Sequence, residues 1–241
     1  MVELDRRALL VRGGLASGIA ATGAIIAGCT TPEVKNAAAA NTASTEQADT
    51  ETFLKDAMVP FDGKNQAGIT ASSHAVLNLL GFNLKDTVGK KEFTNLMRLW
   101  TADARALCTS ETPVGSLEPE MADTPANLTI TCGLGERVFD VIGASKLRPK
   151  WLRDVEAFDR DKLDPAWGQT DIVLQICCDD PVTAGHAMRH MIRAGQDYAQ
   201  VKWLQQGYGH AYGAGGKGDT PRNHFGQLDG TVNPRGGEEM D

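Results

Sequence analysis

A surplus of positive charge is missing from this sequence: 24 Lys and Arg stand against 31 Asp and Glu, a formal net charge of -7. With no basic stripe to neutralise phosphates, a nucleic-acid partner is disfavoured. Cys-x-x-Cys pairs and a Gly-x-Ser-x-Gly elbow are also lacking, which removes two common redox and acyl-transfer signatures. The glycine-rich stretch Gly213 to Gly218 has no Ser or Thr after its Lys and follows a closing strand, so it reads as a loop rather than a phosphate cradle. Long apolar runs are scarce too. The most apolar stretch, Gly13 to Ala27, spans some fifteen residues and contains four glycines, which is weak for a bilayer core of about 30 Å. Aromatic residues make up only 6%, but 41% of the 241 residues are hydrophobic, enough for a globular core.

The chain begins with Arg6-Arg7-Ala8-Leu9-Leu10 ahead of that weakly apolar run, the pattern of a twin-arginine export signal. Ile26-Ala27-Gly28-Cys29 resembles a lipobox, which would make a lipoprotein anchored through Cys29. The alternative is cleavage near Ala38-Ala39-Ala40, which would release a soluble protein. The expected organisation is a signal over 1–29, a flexible Ala/Thr-rich tether over 30–55, a globular module over 56–212, and a loop opening a second module over 213–241. The expected location is the periplasm or the outer face of the membrane. Cys108, Cys132, Cys177 and Cys178 read as buried free thiols. Adjacent residues in a strand point to opposite faces, which disfavours a bond between Cys177 and Cys178.

Within the module, Ala75 to Phe82 has the length and apolarity of a buried strand. Phe93, Leu96, Trp100, Ala104 and Leu107 recur at spacings of three and four, predicting an amphipathic helix from about Asp86 to Cys108, with Asp86 as its cap. A half-buried strand follows at Leu128 to Cys132, ended by Gly133 and Gly135, then a helical turn at Val138 to Ile142. A long excursion containing Pro149, Trp151, Pro165 and Trp167 precedes a core strand over Asp171 to Cys178. Pro181 opens a helix to about Gln196, and Ala199 to Gln206 closes the set as a strand. Strand, helix, strand, strand, helix, strand is the ferredoxin-like βαββαβ order: an α+β fold, its antiparallel sheet carrying both helices on one face.

Five histidines raise the question of metal or haem ligation. His186 and His190 stand four apart on one helix face, but without a third ligand nearby they read as a solvated or supporting pair. His74, His210 and His224 are isolated in sequence. The remaining candidate is Asp229, bracketed by Gly226 and Gly230 in the segment Thr220 to Pro234 (TPRNHFGQLDGTVNP). Such a turn-rich segment is either a surface turn with a solvated Asp or a fold that presents one carboxylate to a pocket.

Several of these stretches, in order, resemble the dye-decolorizing (DyP-type) peroxidases: Asn65-Gln66-Ala67-Gly68-Ile69, Leu128 to Thr131 with Gly133-Leu134-Gly135 and Phe139-Asp140, Asp171 to Asp180, and above all TPRNHFGQLDGTVNP. The resemblance runs from about Val59 to the C-terminus and is closest to the twin-arginine-exported, deferrochelatase-like branch. It implies two ferredoxin-like modules of the dimeric α+β barrel type with haem b in the second. It also implies hydrogen peroxide and a dye, porphyrin or phenolic donor as substrates, and a homo-oligomer at full length. Asp229 matches the family's distal acid, and Gly230, Thr231 and Val232 match the segment skirting the haem. Asn65, Gln227 and Leu228 depart from residues common in the family. The family's haem-ligating His lies well downstream of this motif, and the resemblance implies that it falls beyond Asp241, the last residue of the sequence. The sequence is therefore expected to be C-terminally truncated, with no metal ligand of its own and weak haem binding. The resemblance also allows a different role: a lipid-tethered, iron-releasing component beside an iron-uptake permease.

Overall fold

In the computed structural model, the residues described are 53–214, 220–230 and 232. The expectations for the export signal, Cys29 and nearly all of the tether lie outside them, and so does the stretch from residue 233 to Asp241, beyond which the haem-ligating His is expected. Four strands form one antiparallel sheet: β1 (Val76–Leu84), β2 (Thr129–Leu134), β3 (Ile172–Cys178) and β4 (Ala199–Tyr208), in the order β2-β3-β1-β4. Three helices accompany them: α1 (Lys90–Cys108), the short α2 (Glu136–Val141) and α3 (Pro181–Gly195). This is the ferredoxin-like α+β arrangement expected from the element order.

Local chemistry sets the helix ends. Asp180 caps α3, its carboxylate accepting from the Thr183 N–H at 2.7 Å, and Pro181 occupies the first turn where no N–H is needed. The cap of α1 is Gly89 rather than Asp86, because Glu92 reaches back to accept from the Gly89 N–H at 3.1 Å. The predicted stripe of Phe93, Leu96, Trp100, Ala104 and Leu107 is buried throughout. It packs with Leu80, Phe82, Leu174, Ile176 and Met191 in a single core between the sheet and the two long helices. At the centre Phe82 and Trp100 meet with ring centroids 5.1 Å apart, and the indole N–H donates to the Met191 carbonyl at 3.0 Å. Gly195 is required there: a Cβ on it would lie 2.4 Å from the Trp100 ring.

Strand register assigns the faces. Leu80, Leu174, Ile130 and Leu204 share the helix side, and Gly81, Val173, Gly133 and Trp203 share the other. On that second face a Cβ at Gly81 would come within 2.4 Å of the Trp203 ring, so glycine is what lets the indole lie flat on the sheet.

Polar residues tie the sheet ends together. Asp171, buried just before β3, accepts from the Leu84 N–H at 2.7 Å and pairs with the Arg137 guanidinium. Asp179, just after β3, accepts from the Ala75 N–H at 2.9 Å and the Asn127 amide at 2.8 Å. Along the outer edge of β2, the Gln66 side chain donates to the Cys132 carbonyl and accepts from the Cys132 N–H, both at 2.9 Å, imitating a neighbouring strand.

The pair His186 and His190 requires a correction: both are buried, not solvated. His190 takes a guanidinium hydrogen from Arg193 at Nδ1 (3.3 Å), so its own proton sits on Nε2 and is donated to buried Asp103 at 2.9 Å. In His186 the Nδ1–H faces Glu118 at 3.1 Å, while Nε2 is buried without a partner among the described residues. The apolar face of α3 therefore includes two imidazoles, because each finds a carboxylate on a neighbouring segment. The four thiols are free; Cys108 and Cys178 are buried, and Cys132 and Cys177 half-buried. Burial pushes Cys108 and Cys178 up to about 12 and Cys132 to about 11.

Candidate functional site: the Asp229 loop

The segment bearing Asp229 folds on itself before any distant contact is made. Asn223 starts it: its side-chain oxygen accepts from the Phe225 and Gln227 N–H groups at 3.0 and 3.1 Å, an Asx-type turn. Gly226 takes φ +79°, the left-handed conformation that closes the turn, and its N–H donates to the Asn223 carbonyl at 2.8 Å. Across the base, Arg222 and Leu228 bridge as antiparallel partners, the Asp229 N–H donates to the Pro221 carbonyl at 2.9 Å, and the Arg222 guanidinium donates to the Gly226 carbonyl at 2.7 Å.

One side chain fastens this loop to the sheet. The His224 ring stacks on Tyr208, the last residue of β4, with centroids 4.4 Å apart, and its Nε2–H donates to the Tyr208 carbonyl at 3.0 Å. His224 therefore acts as an anchor. The Asp229 carboxylate is exposed, and no side chain among the described residues engages it. Gly230 follows at φ +90° and is half-buried; Val232 is exposed; Thr231 lies outside the described residues. Of the expected site, the structure thus brings Asp229 and Gly230 together on a braced turn. Among the described residues, none closes over the carboxylate, which is exposed.

Residues 66–209 match the family described as Dyp-type peroxidase, N-terminal. The chain belongs to the Dyp-type peroxidase family. Its relatives include the deferrochelatase of Yersinia pestis bv. Antiqua (strain Nepal516), 31% identical over 247 residues, which cover 97% of this chain and 54% of that protein. The deferrochelatase of Escherichia coli (strain K12) is 35% identical over 187 residues, covering 73% and 44%. Among solved structures, the DyP-type peroxidase from Cellulomonas bogoriensis superposes with a TM-score of 0.73 at 36% identity, over 76% of this chain and 51% of that one. DtpA from Streptomyces lividans, in an oxyferrous complex, gives 0.72 at 37%, over 77% and 51%. The chain spans about half the length of the relatives it matches.

The family match ends at residue 209, and the Asp229 loop begins about ten residues later. Three parts of the family-like sequence prove to be structural: Gln66 holds the β2 edge, and Asp171 and Asp179 tie down the two ends of β3. Sequence reasoning missed these roles. The available signal was an Asp immediately before and another immediately after an apolar run of strand length, where end N–H groups need acceptors.

Proposed function

We propose that this chain contributes the N-terminal module and the acid-bearing loop of a haem peroxidase, which reduces hydrogen peroxide and oxidises a dye, porphyrin or phenolic donor. The observation that carries the reading is the Asp229 carboxylate, exposed and engaged by no side chain among the described residues, on a turn braced by its own backbone and by His224. A carboxylate needed for proton transfer has to be positioned by its backbone and left free at its oxygens.

Haem b is the cofactor this reading calls for, and the described residues fit only one side of it. His190 is committed to Asp103, His186 to Glu118 and His224 to the Tyr208 carbonyl, and the resemblance matches neither His74 nor His210 to the family's ligand position. This reading takes its axial ligand from outside the described residues. Asp229 and Gly230 fit the peroxide side, where haem iron, when bound, supplies the redox chemistry. At that position the Asp229 oxygens hold and move a proton, and Gly230, lacking a Cβ, keeps the approach open.

The test uses the product of the complete reading frame, loaded with haem. Asp229→Asn is expected to keep the Soret band and lower peroxide-dependent dye oxidation about 10²- to 10⁴-fold. Undiminished turnover would remove Asp229 from the reaction. Hemin added to the 241-residue chain alone is expected to give no axial-histidine spectrum. A tight one would show that a histidine of these residues serves as the ligand and overturn this part of the reading.

The relatives named deferrochelatase support a second reading, release of iron from a porphyrin; an iron-uptake permease as its partner is what the resemblance adds to that reading. Iron-free porphyrin appearing without peroxide would favour it. Export belongs to both readings and is supported by Arg6-Arg7 and the apolar run after them, with a lipid at Cys29 as the anchor. Replacing both arginines by lysine is expected to leave the protein in the cytoplasm; unchanged export would refute it.

A further inference from the structure

Two aspartates of this chain stand directly before glycine, Asp62 before Gly63 and Asp229 before Gly230. In any such pair the aspartyl carboxyl carbon can close a five-membered ring with the amide nitrogen of the next residue. Glycine leaves that nitrogen unshielded, since it has no Cβ, and lets the backbone turn toward it. The two pairs share this chemistry and differ in what restrains them.

At Asp62 both carboxylate oxygens are taken. The Arg105 Nε–H and Nη2–H donate to them at 3.0 and 2.8 Å, and the guanidinium rests over the Phe61 ring, 4.9 Å from its centroid. That hydrogen bonding holds the Asp62 carboxyl below the usual carboxylate range, and an ionised carboxylate is a poor electrophile. Asp229 has no such partner among the described residues, and it is exposed. The bracing of its loop also stops one peptide short. The Asp229 N–H is tied to the Pro221 carbonyl at 2.9 Å, whereas the Gly230 N–H meets no acceptor among the described residues. Gly230 holds φ +90°, where a Cβ would be strained, so the residue that leaves the nitrogen open is also the one this backbone requires.

We propose that Asp229-Gly230 is a self-modification site, at which aspartate converts to isoaspartate through a succinimide. The Gly230 nitrogen attacks Cγ of the protonated Asp229 acid; the C–N bond forms, and the Cγ hydroxyl departs with the amide proton as water. Water then opens the ring. Addition at Cγ restores aspartate, whereas addition at the Asp229 main-chain carbonyl routes the backbone through Cβ and Cγ and leaves the free carboxylate on Cα. One water leaves and one enters, so neither oxidant nor enzyme is needed. The site itself is independent of the peroxidase reading. Its consequence rests on that reading: a carboxylate displaced by one methylene no longer meets the position its turn was braced to serve, and activity is lost with age.

The test ages the 241-residue chain in mildly acidic buffer, labels isoaspartate with protein isoaspartyl methyltransferase and locates it by electron-transfer fragmentation of the peptides. Isoaspartate is expected to form at Asp229 at least about fivefold faster than at Asp62, the factor that one released hydrogen bond supplies. Arg105→Gln should raise the rate at Asp62 and leave that at Asp229 as it was. Asp229→Glu, which would need a six-membered ring, should remove the label from this position. Absence of isoaspartate at Asp229, under conditions where the free peptide Thr220 to Pro234 forms it, would overturn the proposal. So would equal rates at the two aspartates, since global unfolding releases both alike. The product of the complete reading frame, aged without haem and then loaded, is expected to lose dye oxidation in step with its isoaspartate content. Unchanged turnover would count against the role of Asp229 in the reaction and leave the modification site standing.

Discussion

Asp171 is the residue whose loss this fold should feel most sharply among its polar groups. Its carboxylate is 5% exposed and performs two tasks, accepting from the Leu84 N–H at 2.7 Å and pairing with Arg137, which is 50% exposed. Truncation to alanine strands a buried backbone donor, at about 1–3 kcal/mol, and removes a hydrogen bond to a charged partner, at about 1.5–3 kcal/mol. Arg137 regains water as it is released, so the expected total is about 3–4 kcal/mol. Asp171→Asn should cost clearly less, because an amide oxygen still accepts from Leu84 and only the ion pair is lost. With a urea slope of about 2–3 kcal/mol/M, alanine moves the unfolding midpoint down by about 1–2 M, with asparagine between it and the parent. Equilibrium urea denaturation followed by far-UV circular dichroism measures both. An alanine shift below about 0.3 M, or asparagine as damaging as alanine, would refute the assignment of Asp171 as the acceptor that closes this end of the sheet.

Further expectations concern the thiols and the segment after α1. Burial raises the thiols of Cys108, Cys132, Cys177 and Cys178, so in the folded chain these four should resist iodoacetamide at about pH 8 and react after denaturation; rapid alkylation of Cys108 or Cys178 in the native protein would contradict their burial. Because the unfolded thiols ionise near about 8.5 while the folded ones stay neutral, their contribution to stability is whole below that pH and is lost as pH rises toward about 12. Glu118 is held below the usual carboxylate range by Arg189 first and His186 second. Its contribution is therefore full above about pH 4.3, where the unfolded side chain is ionised, and is lost as pH falls through the lower folded value. Glu118→Gln should lower the melting temperature at about pH 7, and the gap should close in acid; a gap that stays constant down to about pH 2 would show that the charge plays no part.

Most of the module was legible because its elements are governed by periodicity. The α1 stripe from Phe93 to Leu107 and the apolar runs of β1 and β3 have one reading each, and their order is enough to define the antiparallel sheet. Caps were less legible: Asp86 has the right chemistry, but Glu92 secures Gly89, a choice made by three-dimensional reach. His186 and His190 were misjudged for a related reason. Their partners Glu118 and Asp103 are 68 and 87 residues away in sequence, so nothing local signals that two imidazoles belong in a core. Of the site, the turn chemistry around Asn223, Gly226 and Gly230 was visible in advance, whereas the anchoring of His224 on Tyr208 depends on where β4 ends. An open cleft beneath the 149–169 excursion was not visible at all, because its floor, Gly133, Val173 and Trp203, comes from three different strands.

The glutamine lying along β2 has a consequence for how these molecules meet one another. An outermost strand ordinarily offers its free amide and carbonyl groups to any extended peptide that drifts past, the first step toward runaway association. At Cys132 both groups are already taken by Gln66, a substitute strand one side chain long that cannot itself be extended. Recruitment of a foreign strand is blocked there, so self-association by strand addition is steered toward the opposite border of the sheet, at β4.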